Sequence, residues 1–165
     1  MRILLIITCL ANVAFAFGMI PWMPNPMAIR FHNGVPTEFA SPIAGAVYMS
    51  VYVIILMTVA LCSRWFAARF WWILFVYHIL LDDNWSNKEN RPKTVQRFAS
   101  WIELVIVGYL FFSLLLQWLV LRANQMVPPQ YTTFDTIVTV LGGCVLLIFT
   151  FIALFLLFRL PEKKD

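Results

Sequence analysis

The chain has 165 residues, 62% of them apolar and 12% charged, with a net charge of +4 and a mean hydropathy of +0.82. Soluble domains carry about 25% charged residues, so this composition excludes a disordered chain, a nucleic-acid reader and a disulfide-rich secreted scaffold, each of which needs a polar, basic or cysteine-dense sequence. It reads as an all-α integral membrane protein, a single domain over residues 1–165, with the lipid bilayer as its first partner.

A hydrocarbon core takes about 20 apolar residues to cross as a helix, and four runs reach that length. The first covers residues 3–20 and is closed by Pro21, Pro24 and Pro26. Ala14-Phe15-Ala16 within it resembles a signal-peptide cleavage site, but the apolar run continues past it to the length of a span. The loop that follows, residues 21–42, is rich in proline, and Asn33-Gly34 marks a tight turn that calls for positive φ. Arg30, His32, Asn33 and Glu38 gather around that turn. The loop is either a contact surface for a ligand, a peptide or another membrane protein, or a short cap in which Arg30 and Glu38 pair locally.

The second span covers residues 43–62. After it, residues 70–81 form an aromatic run too short to cross comfortably; it reads as a membrane-surface helix or as an extension of the second span, and one long bent helix also fits. The loop at residues 82–99 mixes acids and bases and begins a helix near Thr94. The third span covers residues 100–121 and the fourth residues 136–158. With four spans and both termini in the cytoplasm, ten of the twelve Lys and Arg residues lie on the cytoplasmic side, leaving only Arg30 and Arg122 outside. A fifth span would move the four cations of the 82–99 loop across, so the positive-inside rule favours four.

Ionisable groups inside a span are functional suspects. Glu103, Val107, Leu110, Leu114 and Gln117 fall on one helical face, with Ser113 beside them. A small transporter would use Glu103 and Gln117 from this stripe; the simpler expectation is that Glu103 pairs at the interface with Arg97 or Lys93. Asp135 suits the first turn of the fourth helix, while Gly142 and Gly143 would let a neighbouring helix approach. His78 stands in its aromatic run without a ligating neighbour, and Cys9, Cys62 and Cys144 read as small buried hydrophobes. No catalytic constellation, metal set or cofactor motif is present, so a non-enzymatic protein without a cofactor is expected.

The external loop resembles the motif of the DUF1648 family, the domain found at the N-terminus of SdpI-type bacterial immunity proteins and in many small four-span proteins. Phe31, Gly34, Pro36, Phe39 and Ser41 match its pattern, with one residue fewer before the glycine, and the family's histidine falls on Arg30. Trp85, Glu89 and Arg91 resemble part of the family's cytoplasmic segment, and Leu121-Arg122-Ala123-Asn124 is similar to its L-R-A-N segment. The resemblance implies a four-helix, multi-pass protein of the bacterial inner membrane. It also implies a sensor or immunity-like role, since the best understood branch protects against a secreted toxic peptide and holds a cytoplasmic repressor; that branch is larger than this chain. The contact residues so implied are Arg30, Phe31, His32, Asn33, Gly34, Pro36, Glu38 and Phe39. An accessory subunit of a membrane complex is the other non-catalytic possibility.

Overall fold

A computed structural model describes residues 2–69 and 91–158. In chain order these form α1 (Arg2–Gly18), a 3-10 turn (Ile20–Trp22), β1 (Met27–His32), β2 (Val35–Ala40), α2 (Pro42–Arg69), α3 (Arg91–Gln125) and α4 (Thr133–Phe158). All four α-helices are long and apolar enough to cross a membrane. Helices α1, α2 and α3 pack against one another, and α4 packs on α3. The shared core is Leu5, Cys9, Val53, Ala60, Ile106, Val107 and Leu110.

Local sequence sets the helix ends. Ser41 opens α2 by accepting a 3.2 Å hydrogen bond from the Ala44 N–H, and Pro42 follows at the first helical position, where a missing N–H costs nothing. Helix α4 starts with a capping box. There the Thr132 hydroxyl receives the Asp135 N–H at 3.3 Å, while the Asp135 carboxylate accepts the Thr132 N–H at 2.7 Å. Two helices outrun their apolar segments: α2 continues past Cys62 to Arg69, and α3 begins at Arg91, well before residue 100. Hydropathy finds the apolar part of a helix, whereas the hydrogen-bonded backbone extends into polar sequence.

The all-α expectation is corrected by a small antiparallel sheet. Strands β1 and β2 pair Met27 with Ala40, Ala28 with Phe39, Arg30 with Glu38, Phe31 with Pro36 and His32 with Val35. Asn33 (φ 50°) and Gly34 (φ 81°) make the two-residue turn, the geometry that matches strand twist and that Asn-Gly serves best. Pairing slips between Ala28 and Arg30 and again between Arg30 and Phe31, so the hairpin carries compensating irregularities, consistent with its prolines.

Helices α3 and α4 meet through small residues. A Cβ at Gly142 would lie 2.9 Å from a Phe112 ring carbon, and one at Gly108 would lie 2.8 Å from a Phe149 ring carbon. Each glycine therefore receives a ring from the opposite helix. The expectation for Gly143 is corrected, because it faces open space. Cys144 is likewise exposed on α4, unlike the buried Cys9. The run at residues 70–81, with His78, and the motif residues Trp85 and Glu89 lie outside the described residues.

Candidate functional site

The hairpin does not stand free of the helices. Near the end of α3, the Asn124 side chain pairs with the backbone of Ala28 as a neighbouring strand would. Its Oδ1 accepts the Ala28 N–H at 2.6 Å, and its Nδ2 donates to the Ala28 carbonyl at 2.9 Å. Both Ala28 and Asn124 are buried. The turn is held separately: the Tyr131 N–H donates to the Gly34 carbonyl at 3.0 Å, and the Phe31 and Tyr131 rings lie 5.5 Å apart. A Cβ on Gly34 would come within 2.8 Å of the Tyr131 carbonyl oxygen. Glycine is thus required there for its backbone and for its lack of a side chain.

Beneath this contact, Arg122 and Asp135 tie α3 to α4. The Arg122 guanidinium lies 2.8 Å from Asp135 Oδ1 and 4.5 Å from the centre of the Phe134 ring. Asp135 is fully buried, and its second oxygen takes the Thr132 N–H and hydroxyl. The Tyr131 hydroxyl also bonds Thr139, one turn beyond Asp135 on α4.

With β1 fixed at Ala28 and by the buried Met27, and the turn fixed at Gly34, much of the remaining hairpin is exposed. Arg30 and Glu38 form a 2.8 Å ion pair on the exposed surface, as the local-pairing reading expects. His32, Ile29, Val35 and Phe39 are also exposed on the hairpin, as is Trp22 in the preceding 3-10 turn. Phe31 and Pro36 are half-buried and Gly34 touches Tyr131, so these three support the hairpin, while Arg30, His32, Glu38 and Phe39 are presented. Asn33 serves the turn.

The polar stripe along α3 is also assembled, with different partners. Glu103, Leu110, Gln117 and Asn124 recur every seven residues along α3 and are all buried, the repeat that keeps one face against a neighbouring helix. Glu103 has Arg2 Nε at 3.5 Å from its Oε1. This replaces the expected pairing with Arg97 or Lys93: α1 and α3 run side by side in the same direction, so the first residue of α1 arrives beside Glu103. Gln117 Nε2 donates to Asn12 Oδ1 at 3.0 Å, and Asn12 Nδ2 donates to the carbonyls of Thr8 and Leu110 at 2.8 and 3.0 Å. Leu110 and its neighbours Leu5, Cys9, Ile106 and Val107 fill the space between the two polar levels.

Sequence reasoning missed Asn12, Tyr131 and the anchoring role of Asn124. A lone carboxamide in an apolar run was the available signal for Asn12. Asn124 stood in the L-R-A-N segment without a partner assigned. Among the described residues no group of three or more His, Cys, Asp or Glu side chains could hold a metal. Comparison with family models, curated proteins and solved structures gives no match.

Proposed function

We propose that this protein is a non-catalytic sensor or immunity-like protein of DUF1648 type, set in the bacterial cytoplasmic membrane with both termini inside, whose hairpin is an external contact surface for a ligand or peptide. The observation that carries this reading is the double attachment of the hairpin, through Asn124 to Ala28 and through Tyr131 to Gly34. A loop needed only for connection does not call for two independent anchors. A surface already held in its binding shape loses less freedom on association, and Arg30, His32, Glu38 and Phe39 expose charge, an imidazole and an aromatic ring on this one hairpin.

The transport alternative has weaker support, because an apolar layer around Leu110 interrupts the polar stripe between Glu103 and Gln117. The test is protection. Cells lacking the protein, complemented with the wild-type chain or with Arg30→Ala/Phe39→Ala, are challenged with the secreted peptide fraction of the source organism. The expected result is survival with the wild type and loss of protection with the variant at equal membrane insertion. Equal protection by both would remove the hairpin from the function.

A further inference from the structure

The seam between α1 and α3 contains a polar atom that the helices themselves leave without a partner. Asn12 commits its amide nitrogen to the carbonyls of Thr8 and Leu110, so its Oδ1 turns to Gln117 and receives Nε2. That fixes the orientation of the Gln117 amide, since turning it over would set two acceptor oxygens against each other. Gln117 Oε1 therefore points away from Asn12, and no donor among the described residues reaches it.

The residue is completely buried, so a donor from outside the described helices has to be small enough to enter the seam. Only a small diffusible molecule fits that requirement. Ser113 lies one helical turn before Gln117, 6% exposed, and places a hydroxyl on the same side of α3. A buried water needs at least two polar partners, and these two side chains provide them.

We propose that Gln117 Oε1 and the Ser113 hydroxyl form a binding site for a single internal water, which completes the hydrogen bonding of the Asn12–Gln117 contact between α1 and α3. The site is independent of what the hairpin binds. It is separated from the Arg2–Glu103 level by the apolar layer around Leu110, so it is a closed station and not part of a continuous path.

The experiment is solid-state NMR of the whole protein in phosphatidylcholine vesicles, reading magnetisation transfer from water to the Gln117 side-chain N–H signals. Transfer is expected to be several-fold faster than to the backbone amides of Leu110 and Leu119, which share the buried core. Ser113→Ala is expected to slow transfer to Gln117 several-fold while the Asn12–Gln117 contact persists. Transfer to Gln117 as slow as to Leu110 and Leu119 in the wild type would overturn the site. An unchanged rate in Ser113→Ala would overturn the part assigned to Ser113.

Discussion

At the hairpin end of α3, the buried polar side chains Asn124 and Asp135 are spoken for: Asp135 gives one oxygen to Arg122 and the other to Thr132, and Asn124 uses both its carbonyl and its amide on Ala28. Further along the same helix, Glu103 Oε1 has Arg2 Nε at an ion-pair distance of 3.5 Å but no hydrogen bond, and Gln117 Oε1 has no hydrogen-bond donor among the described residues. The difference follows from what surrounds them. Helix ends and strand edges leave backbone N–H and C=O groups free to meet a side chain. Inside a packed helix pair the backbone N–H groups are already bonded within their helix, so carbonyls can still accept, as those of Thr8 and Leu110 do from Asn12, but a side-chain oxygen must find its donor in another side chain or a small molecule.

The sharpest way to break this contrast is at the satisfied end. Asp135→Ala removes a buried carboxylate, the α4 cap and the Arg122 partner together, and is expected to cost about 2–4 kcal/mol, read as a lower thermal midpoint in detergent. Asn124→Ala should follow at about 2–3 kcal/mol, because it strands the buried N–H and C=O of Ala28. Its more specific signature is rapid protease cleavage within residues 27–40 while the helices stay protected. The smallest effect is expected in the seam, where Gln117→Leu strands Asn12 Oδ1 but also removes an acceptor that no donor among the described residues reaches, so the net change should be about 1 kcal/mol. A larger loss there than for Asn124→Ala would reverse the comparison.

The helices were legible because a helix able to cross a bilayer needs a long apolar run, such as the one that begins at Ile43. Asp135 was legible for a similar reason, as an acid at the start of a helix. The hairpin was only half legible. Asn33-Gly34 announced the turn, but Pro36 inside β2 and the pairing slips around Arg30 hid the strand alternation. Partners were the least legible element. Glu103 found Arg2, and Ala28 found Asn124, because helix packing joins residues far apart in the chain, and local pattern carries no record of which distant side chain arrives.

That distance bears on the order in which the protein is made. Ala28 and Asn124 are 96 positions apart, so at about 5–20 residues per second the hairpin leaves the ribosome roughly 5–20 s before its anchor does. Tyr131 comes later still. The hairpin therefore cannot take its final seat until α3 and the start of α4 have been synthesised, and a nascent chain arrested after α2 would carry an unseated hairpin. Placement of the hairpin, early in the sequence, is thus a late event of biogenesis that waits on α3 and the start of α4.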